Sequence, residues 1–165
     1  MPRGRMKHLL DSFGITYHAI PLSAADAPGP AAMAVPPRAG QLVQPLLVRI
    51  DHHPALVLLR AGAELDPVAV GREADAVTVV PVTSHCFADL FPGCEPGAMP
   101  PLGGLCGVDV YADEALAHCR EVAFYNGTRA ELLAMRWADL ARLVDPLVGR
   151  FARPGCHSAE RPGPA

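Results

Sequence analysis

The sequence feature that most constrains the fold is a pair of short apolar runs joined by a polar turn. Residues 46–50 and 55–59 consist almost entirely of Leu, Val, Ile and Ala, and residues 51–54, Asp-His-His-Pro, separate them. Runs of this length between turn residues are typical of strands, and the short connection indicates a hairpin. Because each run is apolar at consecutive positions, both strands are expected to be largely buried.

Shorter helical and strand patterns surround this hairpin in irregular alternation. Helices are predicted at residues 6–13, 66–70, 84–91 and 137–144, with another after Asp113, and strands at residues 15–22, 76–80, 108–112 and 121–125. Hairpins rather than long crossovers connect them, which favours an α+β fold. Since half of the residues are apolar, the chain can fill one core. We therefore predict a single α+β domain with a mixed, largely antiparallel sheet and short flanking helices.

The domain is expected to cover residues 1–151. Within it, residues 24–40 are rich in Ala and Pro and are predicted to form a long loop, because prolines at this density oppose both helix and strand. Gly and Pro recur after Phe151, so residues 152–165 are predicted to form a flexible tail.

The composition argues against several classes of protein. A formal net charge of −3 is unlike that of an indiscriminate nucleic-acid binder. No apolar run approaches the ~18 residues of a membrane span, and the first residues do not resemble a signal peptide, so we expect a cytoplasmic protein without a membrane partner.

His52 and His53 are adjacent at a hairpin tip and face different ways, and the five cysteines form no C-x-x-C pair. We therefore predict neither a metal site nor a cofactor.

The most unusual stretch is residues 92–104, in which eight of thirteen positions are Gly or Pro. One interpretation is a rigid connector between a helix and a strand. The other is a ligand loop, because Gly97 lets the backbone approach a ligand while Pro100 and Pro101 fix φ and remove competing donors. Such a loop can hold backbone N–H groups toward a carbonyl or an anion without reorganising.

The same stretch carries a resemblance. Residues 91–103 resemble the G-x-x-x-P loop of the YbaK / prolyl-tRNA-editing family of aminoacyl-tRNA deacylases, with Gly97 and Pro101 at the ends of the motif. Further similarities follow in order along residues 6–150, at residues 9–17, 46–48, 107–113, 124–128 and 137–140. The resemblance implies a carboxylic ester hydrolase that cleaves the bond between a wrong amino acid and the terminal adenosine of a tRNA.

The resemblance also implies which residues form the site. In that family the loop backbone positions the aminoacyl group and a ribose hydroxyl helps to activate water, so the enzyme supplies positioning more than a nucleophile. The implied catalytic positions are Gly97, Ala98, Met99, Pro100 and Pro101. The implied neighbours of the amino-acid pocket are Asn126, Gly127 and Thr128. The implied partner is aminoacyl-tRNA, with an aminoacyl-tRNA synthetase as a second candidate.

Two positions depart from the pattern that the resemblance implies. Where the family has a lysine–threonine pair before its Leu-Leu-Val strand, this sequence has Gln44 and Pro45. Glutamine still donates a hydrogen bond to a phosphate or ribose oxygen, but a charge-assisted bond is roughly twice as strong as a neutral one. Gln44 therefore predicts weakened or altered binding of the tRNA end.

Two alternatives to an active enzyme stay open. The first is a catalytically inactive editing fold that binds tRNA, a synthetase or a small aminoacyl ligand, and Gln44 is the residue that favours it. The second is a structural or interaction protein, which rests on the connector interpretation of the loop. Three arginines, Arg129, Arg136 and Arg142, are candidates for contacts with tRNA phosphates, although Arg142 could instead pair with Asp139 three residues before it.

Overall fold

Two β-sheets and four short α-helices organise the part of the chain that the structure, a computed structural model, describes: residues 3–22, 41–82, 93–95 and 97–153. The helices are α1 (Arg3–Ser12), α2 (Pro67–Glu73), α3 (Glu114–Ala117) and α4 (Trp137–Val144), with a 3-10 helix at Gly103–Cys106. The strands are β1 (Tyr17–Pro21), β2 (Val43–Ile50), β3 (His53–Arg60), β4 (Val79–Pro81), β5 (Asp109–Asp113), β6 (Glu121–Tyr125), β7 (Glu131–Arg136) and β8 (Leu147–Gly149).

The predicted hairpin is confirmed and lies at the centre of the larger sheet. β2 and β3 pair antiparallel with Leu46 opposite Val57, and Asp51 and His52 form the tip with positive φ values of 45° and 76°. The sheet has the order β4-β2-β3-β5-β8, in which β3, β5 and β8 run parallel. Both faces of β3 are covered, because Leu56 and Leu58 join one core cluster while Val57 and Leu59 join another.

The smaller sheet is antiparallel, in the order β1-β7-β6. An isolated bridge between Leu42 and Ala123 brings the start of β2 beside β6, so the two sheets meet there. The main core packs Met6 and Leu10 of α1 with Phe124 of β6 and Leu140 of α4. The α+β prediction is therefore confirmed, with the strands divided between two sheets.

Local signals located several elements correctly. The Asp66 carboxylate accepts hydrogen bonds from the Val68 and Ala69 N–H groups at 3.0 and 3.2 Å, which begins α2 as predicted. Phe13, which the sequence placed on the apolar face of the first helix, lies beyond its last residue and is 55% exposed. β4 begins three residues later than predicted, at Val79.

Two strands, β7 and β8, were not predicted. The sequence of β7, Glu-Leu-Leu-Ala-Met-Arg, consists of strong helix formers, and its position between β1 and β6 overrides that local preference. β8 is three residues long, too short for a recognisable alternation.

Some sequence predictions concern residues that the structure does not describe. The loop at residues 24–40 and the helix at residues 84–91 fall outside the described ranges. Of the segment that begins at residue 152, Ala152 pairs with Leu65 in an isolated bridge and the Arg153 N–H donates to the Glu64 carbonyl at 2.8 Å. The domain boundary at residue 151 therefore stays a prediction. None of the helices in the described ranges has both the length and the apolar character needed to cross a membrane.

Candidate functional site

The Gly/Pro-rich loop contacts the turn between β6 and β7 through backbone hydrogen bonds. We call residues 93–95 and 97–101 the site loop and residues 126–130 the site turn. The Gly127 N–H donates to the Ala98 carbonyl at 2.8 Å, and the Glu95 N–H donates to the Gly127 carbonyl at 2.9 Å. Gly127 is thus bonded to the loop through both of its backbone polar groups. The structure therefore brings together the two segments that the sequence analysis singled out separately.

A tight turn at Gly97 shapes the loop. The Ala98 N–H donates to the Glu95 carbonyl at 3.0 Å, and Gly97, at the third position of this four-residue turn, has a φ of 78°. A positive φ at this position favours glycine, because other residues rarely adopt it. The N–H of Ala98 is consequently used inside the turn. Among the described residues, the N–H groups of Gly97 and Met99 have no hydrogen-bond partner.

The Glu95 carboxylate holds the loop against the turn. Its Oε1 accepts from the Thr128 hydroxyl at 3.2 Å, and its Oε2 accepts from the Arg129 N–H at 2.8 Å. The Thr128 hydroxyl oxygen in turn accepts from the Ala130 N–H at 3.2 Å. Glu95 was not among the predicted site residues. Its place before Pro-Gly was the only signal in the sequence, since the groups that it binds lie 33 and 34 residues further along the chain.

The five residues of the motif differ in their exposure to solvent. Ala98 is fully buried, Met99 is 7% exposed and belongs to the main core cluster, and Pro100 and Pro101 are buried as well. Gly97 is the exposed residue of the five. Residues 98–101 therefore anchor the loop in the core, and the backbone around Gly97 is the part of the motif that a ligand can reach.

A polar chain links the site turn to α1. Asn126 is 1% exposed, and its Nδ2 donates to Glu131 Oε2 at 3.0 Å. The other oxygen of Glu131 accepts from Lys7 Nζ at 2.7 Å, and Lys7 is the only lysine in the sequence. In the described part of the chain, Asn126 Oδ1 is buried without a hydrogen-bond partner. A buried acceptor of this kind is usually satisfied by an ordered water.

The Arg129 guanidinium packs directly on Gly97. A Cβ added at Gly97 would stand 2.7 Å from Arg129 Nη2, so the cation covers the α-carbon of that residue. Burial raises the pKa of the nearby Tyr125 hydroxyl, and the charge of Arg129 acts in the opposite direction. The other two candidate arginines both lie near the Asp139 carboxylate, Arg136 at 3.1 Å and Arg142 at 3.6 Å. Arg129 is therefore the arginine that the fold places at the loop.

Gln44 lies on β2, opposite Leu59, and its side chain is exposed. It follows Leu42 by two residues, and the bridge from Leu42 to Ala123 places this end of β2 beside β6, which leads into the site turn. The side chain of Gln44 makes no hydrogen bond to any residue within the described ranges. This position is accordingly exposed and carries no charge.

The chemistry that the site offers is mainly that of backbone groups. The described residues contain no group of three or more His, Cys, Asp or Glu side chains that could hold a metal ion. Cys94 of the site loop is partly buried against the main core. The exposed backbone at Gly97 and the guanidinium of Arg129 can bind and orient a ligand that has acceptor and anionic groups.

Solved structures share this fold over nearly the whole chain. A structure described as a candidate trans-editing enzyme for prolyl tRNA synthetase has a TM-score of 0.78 and 24% identity, covering 93% of this chain and 98% of that one. Hypothetical protein APE2540 has a TM-score of 0.79 and 16% identity, covering 90% and 99%. A scaffold from computational epitope grafting has a TM-score of 0.75 and 23% identity, covering 93% and 98%. At these identities the likeness establishes the fold alone.

The sequence itself identifies the family. No curated protein matches the chain. A family model described as an aminoacyl-tRNA editing domain matches residues 24–143, a range that includes Gln44, the site loop and the site turn. This match covers well over half of the chain and confirms the resemblance seen in the loop. The chain belongs to the aminoacyl-tRNA editing domain family.

Proposed function

We propose that the protein is a trans-editing deacylase that hydrolyses the ester of mischarged aminoacyl-tRNA. The observation that supports this most is the attachment of the site loop to the site turn, which leaves the backbone at Gly97 exposed while residues 98–101 are anchored in the core. A loop fixed in this way meets an ester without reorganising. Mischarged tRNA occurs where translation takes place, so we expect the protein to act in the cytoplasm.

The proposed reaction adds water to the ester carbonyl and breaks the bond to the ribose oxygen. The products are the free amino acid and a tRNA with both terminal hydroxyls restored. The protein holds the ester in position relative to the attacking water. Such positioning raises the reaction rate by several orders of magnitude when the bound geometry is close to that of attack. The acyl carbonyl is expected to lie at the exposed backbone of Gly97, and the amino-acid side is expected to lie toward Asn126 and Thr128.

The test is a deacylation assay over a panel of mischarged tRNAs with two glycine variants. Gly97 and Gly62 both have positive φ, 78° and 84°, so alanine at either position costs about 1–2 kcal/mol in backbone strain. A Cβ at Gly62 meets nothing within 4 Å, whereas one at Gly97 meets Arg129. We expect Gly97→Ala to lower hydrolysis at least tenfold and Gly62→Ala to leave it unchanged. Equal rates for wild type and Gly97→Ala would contradict the proposed role of the loop.

The exposed, neutral Gln44 supports a second candidate function, an editing fold that binds aminoacyl-tRNA or a synthetase without turnover. Binding of tRNA that weakens steeply with salt, combined with no hydrolysis of any substrate in the panel, would support it. Gln44→Lys separates the two functions. If the variant hydrolyses a substrate that the wild type leaves intact, the wild-type chain is a binding module. If the wild type is already active, the deacylase proposal stands, and the variant measures how much a charge adds.

A further inference from the structure

We propose that the Arg129 guanidinium is a phosphate-binding position, which takes the phosphodiester on the 5′ side of the acylated adenosine. This inference rests on the proposed function, because it assumes that the aminoacyl ester lies at Gly97. It assigns the role of cation to a side chain of the site turn, in a site whose loop contributes backbone groups and the Glu95 carboxylate.

The first argument is position. Arg129 Nη2 lies 2.7 Å from the position that a Cβ of Gly97 would occupy, and Gly97 is the exposed residue of the motif. A ligand that meets the backbone at Gly97 therefore meets the guanidinium in the same place. In a nucleotide the 5′ phosphate is attached to the same ribose as the acylated hydroxyl. Contact with both groups consequently requires only one nucleotide at the site.

The second argument is that the backbone beneath this cation is fixed. The Arg129 N–H is held by Glu95 at 2.8 Å, and its neighbour Thr128 is 3% exposed and bonded to the same carboxylate. The base of the side chain is therefore part of the attachment between loop and turn. An arginine on a fixed base loses less conformational freedom on binding, and its planar fork matches phosphate in a bidentate manner.

The experiment compares two stable probes, the 3′-alanylamino analogue of adenosine with and without a 5′ phosphate. Dissociation constants are measured by calorimetry for wild type, Arg129→Ala, Arg129→Lys and, as the matched control, Arg142→Ala. Arg142 is an exposed arginine that lies outside the site. We expect wild type to bind the phosphorylated probe about tenfold more tightly than the nucleoside, which corresponds to about 1.4 kcal/mol. The preference should disappear in Arg129→Ala, persist in part in Arg129→Lys and remain complete in Arg142→Ala.

Several outcomes would overturn the inference. A wild type that binds both probes equally, or neither, has no phosphate-binding position. A preference that survives in Arg129→Ala assigns the phosphate to another group, and an equal loss in Arg142→Ala makes the effect one of general charge. A different outcome would contradict the proposed function without affecting the phosphate-binding position. If the preference depends on Arg129 while no mischarged tRNA is hydrolysed, the phosphate position stands and the deacylase proposal does not.

Discussion

Lys7, on the first helix, donates a 2.7 Å hydrogen bond to Glu131, which begins a strand 124 residues further along the chain. The same carboxylate orients the amide of the buried Asn126 at 3.0 Å. One acidic side chain thus ties α1 to the turn that holds the site loop. The charge of Lys7 serves this connection, so the only lysine of the chain stabilises the edge of the site.

Removing the Glu131 side chain is expected to lower the free energy of unfolding more than removing the charge of Lys7. The ion pair is partly exposed, with side-chain exposures of 35% and 20%, so Lys7→Met should lower the free energy of unfolding by about 1 kcal/mol or less. Glu131→Ala also strips the partner from the buried Asn126 amide and should cost about 2 kcal/mol. Urea denaturation of both variants checks the order. Equal losses would mean that the bond to Asn126 contributes nothing.

Glu95→Ala is expected to lower both the rate of hydrolysis and the stability of the protein. The exposed carboxylate accepts two hydrogen bonds from the site turn, and its loss should reduce the free energy of unfolding by about 1–2 kcal/mol. Hydrolysis should fall about tenfold, because the loop is then free to move away from the position of attack. Single-turnover deacylation and urea denaturation are the two measurements. Glu64→Ala, which removes an exposed partner of Arg153, is the control. A variant that loses stability but keeps its rate would show that Glu95 does not position the loop.

Among the polar residues outside the site, Asp113 is expected to show the largest loss of stability when it is replaced by alanine. Its buried carboxylate accepts from the Ala115 N–H at 3.0 Å and from the Phe151 and Ala152 N–H groups at 2.9 Å each. Asp113→Ala should lower the free energy of unfolding by about 3 kcal/mol, because it leaves buried donors unpaired. Calorimetric melting checks the loss. A change within 0.5 kcal/mol, the usual range of surface substitutions, would contradict it.

Asp51 predicts a pH dependence of stability at acidic pH. Hydrogen bonds from the backbone N–H groups of Thr78 and Val77 hold the pKa of its carboxyl below the ordinary value of 3.8. A carboxyl whose pKa is lower in the folded state stabilises the protein above the unfolded value, and that contribution is lost as pH falls through the folded pKa. Asp51→Asn keeps a side chain that tolerates the positive φ and removes the charge. The stability difference between wild type and variant should therefore be constant near neutral pH and shrink as the pH drops below about 3.8. A difference that stays constant down to pH 2 would contradict this.

The elements that could be predicted are those whose signals are local. The apolar runs on either side of Asp51 and His52 specified a hairpin, and the Asp66-Pro67 pair specified the start of a helix. β7 could not be predicted, because Glu131 to Arg136 are helix formers whose strand conformation depends on pairing with β1 and β6. The same reason applies to the division of the strands into two sheets, which no local pattern encodes.

The site was predictable as two separate segments and not as one structure. The motif located Gly97 and the resemblance implied residues 126–128, but which backbone groups meet depends on the register between β6 and β7. Glu95 and Arg129 carry no signal of their own, since a glutamate and an arginine on loops are ordinary surface residues. Their roles follow from the contacts with Thr128 and Gly97, which only the folded chain shows.

The double attachment of Gly127 has a consequence for how this site can diversify. Because its amide and its carbonyl are both bonded to the loop, a shift of the β6–β7 turn is expected to displace the loop with it. One extra residue in that turn would change the position of the backbone at Gly97, even with every side chain of the motif retained. In the proposed deacylase, the length of this turn would therefore affect which amino acid fits beside Gly97.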